Sequence, residues 1–410
     1  MASYLDYVMR QIRGMAMIRR GVVPNLVLSQ HAIDKMYTAA RKFIADETGE
    51  AMVGFILPGD ADGGAPTRYV IDTISPDESA IRQMHTFQQG DALQDELIYW
   101  LQENWHVARE RGIDTAGRPI APKFQVPLRY MGDWHKQPGF MIAPSGGDLN
   151  TALAWLDDPE TGMDFLLVPI VTLGHPDTVD LLDTAVNYVL VDMGDGTYMR
   201  VDWWYIHRDV GRFQAINPAV IATDQVPALA RYPWHVIHED RYNIEANLMA
   251  DEGLFATLLF WETDPKGPLS VCFLTARQGA QKVLLLTTHW DFPKSPPTAR
   301  VAPFGHIDSE ASDMYEVFGK LWEESEPVAD PPGWTWTPEK HLLDYIHAIE
   351  DHLGIRPKVA PAAAAGQGGG TKPAATKDDP VEKSAERAAV SRLKDPADSE
   401  ETSAPEEDKA

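Results

Sequence analysis

One short stretch collects the groups that hold a cation or move protons around one. His135 and Gln137 are separated by a single residue, seven residues intervene before Ser145, and two more before Asp148. An imidazole, an amide, a hydroxyl and a carboxylate at this spacing suit a divalent metal and a hydrolytic water. Along an extended chain alternate side chains point the same way, so residues 135 and 137 share a face. A turn into a helix then brings Asp148 back toward them. Upstream, the segment Glu47-Thr48-Gly49-Glu50-Ala51-Met52-Val53-Gly54 offers two carboxylates, Glu47 and Glu50, either of which is a candidate general base.

Positioning these groups needs strands that end beside them and helices that start there. A helix carries Ile33, Met36, Tyr37, Ala40 and Ile44 on one face, with Ser29 as its N-cap. Strands follow at Ala51 to Leu57 and Tyr69 to Ile74. The spacing of Leu93, Leu97, Trp100, Leu101 and Trp105 predicts a long helix from Asp91 to Arg111. Leu128 to Gly132 reads as the strand leading into the motif, Leu149 to Leu156 as a short helix leaving it, and Phe165 to Leu173 as a buried strand. Tyr188 to Asp192, the turn Gly194-Asp195-Gly196, and Tyr198 to Tyr205 form a hairpin.

The motif resembles the JAMM (MPN/JAB) metalloprotease pattern H-x-H-x7-S-x2-D, and Glu47 to Gly54 resembles that family's E-x6-G element. The order helix, glutamate, strand, long helix, strand, motif, helix is also similar, over most of residues 22 to 210. The resemblance implies a zinc-dependent isopeptidase acting on ubiquitin-like proteins. In it His135 and Asp148 would be zinc ligands, Glu47 the general base on the bound water, and Ser145 a stabiliser of the oxyanion. The chain departs from the pattern at Gln137, which stands where the family has its second histidine. An amide oxygen is neutral and a weaker zinc donor than imidazole, and a catalytic zinc usually has three protein ligands. Three readings follow: a metal-free pseudoenzyme that binds its ubiquitin-like partner, a site that holds zinc weakly through Gln137 or a remote histidine, or a chance echo on another fold. His85, ahead of the long helix, is the one candidate for such a rescuing ligand. His31, His106, His207, His235, His238, His341 and His352 lack ligand spacing and read as ordinary core or surface histidines.

A second block begins near Asp224, with strands expected at Phe255 to Trp261, Ser270 to Thr275 and Lys282 to Thr288. Lys282 to Val301, containing Phe292-Pro293 and Pro296-Pro297, resembles the strand–YPxxPP–strand segment of the ubiquitin-conjugating (UBC) fold. Trp336-Thr337-Pro338 followed by Leu342, Leu343, Ile346 and Ile349 looks like that fold's W-x-P closure onto a helix. A generic α+β domain accounts for the same features. Conjugation needs a cysteine between the two segments, and none is there. Gly305-His306-Ile307 is the nearest thing to the His-Pro-Asn tripeptide that usually precedes it. Cys272, the one cysteine of the chain, lies earlier, in an apolar strand pattern that makes it a packing residue.

The expected architecture is therefore α/β in the α+β sense: a JAMM/MPN-type mixed sheet flanked by helices (22–220), a UBC/RWD-like α+β domain (224–355), and a disordered tail (357–410). The tail is rich in Ala, Gly, Pro and charge and cannot offset its own ordering entropy. Tyr4, Val8, Ile12, Met15 and Ile18 suggest an amphipathic helix without the pattern of a secretory signal. The formal charge of the 410 residues is −25; the tail, with 11 acidic and 8 basic residues, supplies only −3 of it. Such a balance argues against nucleic acid and anionic membranes as partners. A single cysteine fits a reducing, cytoplasmic setting.

Overall fold

The computed structural model describes residues 23–59, 65–76, 78–84, 86–89, 92–176, 186–265, 267–304 and 313–356. The amphipathic segment at Tyr4 to Ile18, His85, the tripeptide Gly305-His306-Ile307 and the tail lie outside the described residues. Among those residues no helix is long and apolar enough to cross a membrane.

The chain is a mixed α+β protein. Its first part runs β1 (Asn25–Ser29), α1 (Gln30–Lys42), β2 (Gly49–Leu57), β3 (Thr67–Ile74), β4 (Ile81–Gln83), β5 (Thr86–Gln88), α2 (Ala92–Arg111), β6 (Leu128–Lys136) and α3 (Gly146–Asp157). It continues through β7 (Phe165–Leu167), β8 (Ile170–His175), β9 (Tyr188–Asp192), β10 (Tyr198–Asp202), β11 (Trp204–His207), β12 (Gln214–Ala215) and β13 (Pro218–Ile221). Eight of these strands form one mixed sheet in the order β13-β1-β3-β2-β6-β8-β10-β9; β12-β11-β7 and β4-β5 are small sheets beside it. The remainder runs α4 (Trp234–Ile237), α5 (Glu239–Asp251), β14 (Leu254–Trp261), β15 (Ser270–Arg277), β16 (Lys282–Thr288), β17 (Thr298–Pro303), α6 (Met314–Glu324), β18 (Glu326–Val328) and α7 (Leu342–Leu353). Its five strands make one antiparallel meander in chain order. The described residues up to Asp157 and from Met163 group into one compact unit. Asp158–Gly162 falls outside it and is a turn of its own, with Glu160 N–H donating to Asp158 Oδ1 at 2.9 Å.

Local sequence explains the elements nearest the motif. Ser29 caps α1, its Oγ accepting from Ala32 N–H at 3.1 Å, and Ala32, Ile33, Met36 and Ala40 form the buried stripe. That stripe covers one sheet face with Met52, Val70, Met131 and Trp134. The opposite face, with Val53, Phe55 and Leu128, packs on Leu97, Trp100, Leu101 and Trp105 of α2, and the same core continues into Trp234, Phe260, Phe273, Leu284, Phe292 and Ile346. Helix α2 is thus buried from both sides, which is why four large apolar residues sit on it.

Three boundaries differ from expectation, the first being that Tyr198 to Tyr205 is not one strand but β10 of the large sheet and the start of β11 of a small one, parted at Trp203. The strand into the motif does not stop at Gly132 but runs to Lys136, because His135 pairs with Gly49 of β2 on one side and with Ile170 of β8 on the other. The run Phe165 to Leu173 is two strands in different sheets, parted at Pro169, which has no N–H to give to a ladder.

Candidate functional site

Strand β6 carries the site past an irregularity. Its pairing with β2 slips at Met131–Gly132, where Met52 faces Gly132 and Val53 faces Tyr130. Gly132 takes φ 118°, and a Cβ there would lie 2.1 Å from the Leu167 carbonyl oxygen, so only glycine fits. The extra residue switches the alternation. Asp133 and His135 therefore share a face with Tyr130 and Leu128, while Trp134 turns to the α1 side, where its Nε1–H donates to Glu50 Oε2 at 3.2 Å.

At the end of β6 three polar groups meet. Gln137 Nε2 lies 3.1 Å from His135 Nε2 and 3.4 Å from Asp148 Oδ2, and His135 Nε2 lies 3.5 Å from Asp148 Oδ1. Burial holds the His135 imidazole below its ordinary pKa, against the pull of the Asp148 carboxylate, and so keeps it neutral at pH 7. Asp148 is brought in by the start of α3. The Ser145 backbone N–H donates to Asp148 Oδ2 at 2.5 Å, and Asp148 N–H donates to Ser145 Oγ at 3.2 Å. This is a reciprocal capping box, so the Ser-x-x-Asp spacing also has a purely local use.

The two candidate bases go different ways. Glu50 is sealed on the α1 side, accepting from Thr73 Oγ1 at 2.6 Å, from Ser75 Oγ and from Trp134, and burial raises its carboxyl pKa. It is a packing carboxylate. Glu47 precedes β2. The Gly49–His135 pair and the hydrogen bond from Lys136 N–H to Thr48 O (2.7 Å) carry the register on, so that Glu47 stands opposite Gln137. Its backbone N–H donates to Gln83 O at 2.8 Å, anchoring it to the β4–β5 hairpin. Lys136, between the two motif residues, points to the other side and donates to Ile44 O at 3.0 Å.

Whether these residues suit a divalent cation turns on the donor set. Among the described residues no three His, Cys, Asp or Glu side chains form a metal cluster. The third corner is Gln137, whose Oε1 is buried and makes no hydrogen bond. The separations of 3.1 to 3.5 Å, two of them measured to the amide nitrogen of Gln137, put that end of the side chain near the edge of about 3.3 Å that donors 2.0–2.1 Å from a tetrahedral ion would span. An imidazole nitrogen and a carboxylate face this position together with the amide nitrogen of Gln137, so the three would fit such an ion only with the amide turned over to bring Oε1 inward.

Two site-face residues escaped sequence reading. Asp133 is held up to about pKa 6 by burial, beside Tyr130 and Gln89; its alternation with His135 and Gln137 was the available signal. Thr172 of β8 is fully buried, and its hydroxyl makes no hydrogen bond. It is a single hydroxyl in an otherwise apolar run, a weak signal. Cys272 sits in the core of the second part with Leu259, Leu274 and Phe318, its thiol pushed up to about 12 by burial.

No protein-family model matches the chain, and no curated protein matches it. One solved structure it is similar to is the solution structure of protein DSY2949 from Desulfitobacterium hafniense, 13% identical, with a TM-score of 0.27, covering 48% of this chain and 93% of that one. A likeness at that score carries no argument.

Proposed function

We propose that the chain is a JAMM-like, metal-dependent isopeptidase that acts on a ubiquitin-like modifier, with the second part as a cysteine-less, UBC-like recruiting module. The observation that carries this reading is the convergence of His135, Gln137 and Asp148, with Glu47 in register beside them. His135 Nε2, the Asp148 carboxylate and Gln137 Oε1 would hold the cation, zinc in the family it resembles. A bound divalent ion lowers the pKa of water toward about 7 and polarises a carbonyl. Glu47 takes a proton from the attacking water and returns it to the leaving lysine amine. The Ser145 hydroxyl, whose oxygen accepts from Asp148 N–H, donates its proton to the developing oxyanion. For the second part, the support is a helix (α5) followed by an antiparallel meander, with Trp336 Nε1–H donating to Pro293 O at 2.8 Å, which ties the Trp-x-Pro and Phe-Pro segments together. The acidic balance and the lone buried cysteine go with a cytoplasmic protein whose partners are proteins, basic ones above all.

A second reading has its own observation. Gln137 presents its amide nitrogen, not its oxygen, to His135 and Asp148. A site closed in that way would make the chain a catalytically degenerate adaptor for ubiquitin-like proteins. Metal content by mass spectrometry and cleavage of a ubiquitin-like fusion separate the two. About one ion per chain, with cleavage abolished in Glu47→Gln, is the expected result. A chain that binds the modifier yet holds no ion and cuts nothing is the adaptor.

A further inference from the structure

Three buried side-chain oxygens on the site face have nothing to bond to, Asp133 Oδ1, Gln137 Oε1 and Thr172 Oγ1, and the last two are neighbours. Gln137 is 6% exposed and its Oε1 has no partner; Thr172 is 0% exposed and its Oγ1 has none. They sit on neighbouring strands. His135 pairs with Ile170 and Lys136 with Val171, and Gln137 N–H donates to Val171 O at 2.9 Å, so the next position in register sets Gln137 beside Thr172 on the same face. Interior polar groups are rarely left this way.

The inward end of the amide gives the other half of the argument. With nitrogen inward, the amide donates to His135 Nε2 and Asp148 Oδ2. With oxygen inward it would face the Asp148 carboxylate acceptor to acceptor, which is repulsive unless a cation lies between them. The two orientations differ by a rotation about the terminal, two-fold side-chain torsion and need no backbone movement. A hydroxyl both donates and accepts. With nitrogen inward, Gln137 Oε1 and Thr172 Oγ1 make no direct hydrogen bond, so Thr172 serves the outward end of the amide through one water in that state.

We propose that Gln137 is a two-state amide: its N–H end closes the site between His135 and Asp148 when no divalent cation is bound, its carbonyl end turns inward as the third donor when one is, and the Thr172 hydroxyl serves the outward end in both states. This rests on the metal-site reading above. The cation shifts the equilibrium by binding only the oxygen-inward state. Thr172 is a positioning residue, acting on the cation through Gln137.

The test is titration of the full chain with Zn2+ and with Mn2+ by calorimetry, beside the variants. Gln137→Leu should weaken both ions about a hundredfold and Thr172→Val about tenfold, with Thr172→Ser close to wild type. Gln137→Glu, which keeps an inward oxygen and adds charge, should bind tighter than wild type. In the wild-type chain the side-chain 15N–1H2 signals of Gln137, assigned by their loss in Gln137→Leu, should move on adding Zn2+. Equal affinity in wild type and Gln137→Leu overturns the proposal, as does Thr172→Val matching wild type, or binding by Gln137→His alone. A failure of the isopeptidase reading looks different: cation binding and amide shifts as expected, with no cleavage of any ubiquitin-like fusion.

Discussion

The two sheets bury different chemistry. The eight-stranded sheet and its neighbours enclose Glu50, Asp72, Lys136, Gln137, Thr172, Arg200 and Asp202, all at least nine-tenths buried. The five-stranded meander encloses Val271, Phe273, Leu274, Leu284, Leu285 and Leu286, with two threonines and an inert thiol as its polar atoms. Its buried ion pairs involve helix α5 and helix α7. Glu245 accepts from Arg241 at 2.6 Å and from Leu342 N–H at 2.8 Å, closing the start of α7, and Arg277 meets Glu350 at 2.7 Å. Burying a charge or an unpaired amide costs stability that burying a leucine contributes. A fold keeps such groups where position matters more than stability; among them Gln137 and Thr172 lie at the end of β6 without a partner for Oε1 and Oγ1, whereas Asp72 pairs with Lys35 and Arg200 with Asp202. The second part buries charges too, but its buried glutamates, Glu245 and Glu350, are each paired with an arginine.

The contrast can be broken or sharpened in steps. The largest effect expected is on chemistry alone: Glu47→Gln should lower cleavage by about 10²–10⁴-fold with an unchanged urea midpoint, since Glu47 is half-exposed and lies outside the cores. Loss of stability with loss of activity would erase the distinction between the regions. Next, Trp234→Ala should cost about 3–5 kcal/mol in urea unfolding. That ring is fully buried, lies 4.6 Å from the Phe292 ring at a tilt of 50° and donates to Thr288 Oγ1 at 2.8 Å. It should leave cation affinity untouched.

Asp133 gives a pH-dependent version. Its carboxyl is held at about 6 in the fold and ionises near 3.8 when unfolded. Between those values the folded state keeps a proton that the unfolded state has lost, so stability falls as pH rises through the window and is level above it. Asp133→Asn should therefore raise the melting temperature more at about pH 7.5 than at about pH 4. An equal gain at both would place the carboxylate outside the buried face. The smallest effect is local: Ser145→Ala removes the cap of α3 and should cost about 1 kcal/mol, while loosening Asp148 and so weakening cation binding.

Much of the site was legible in the sequence for a local reason. Ser145 and Asp148 cap the same helix start, and Ser29 caps α1; such contacts span three residues and follow from residue type. Alternation placed His135 and Gln137 on one face because a strand has a period of two. The spacing to Gly54 favoured Glu47 over Glu50, but three residues apart on a strand means opposite faces, and nothing local says which face is which. The pairing of Glu50 with Trp134 and of Gly49 with His135 puts Glu50 on the sealed α1 side and Glu47 in register with Gln137.

The sequence by itself determined the inventory: which donors exist, their spacing, the helices and hairpin that flank them, and the absence of a cysteine where transfer chemistry needs one. Only the tertiary structure decided the rest. The slip at Met131–Gly132 turned Asp133 and His135 onto the side of α2, β8 brought Thr172 beside Gln137 from 35 residues away, and α2 was buried by two sheets at once. The reason is that register and bulges are properties of strand pairs. A one-residue slip reverses every side chain beyond it, and no single strand carries the information about where its partner slips.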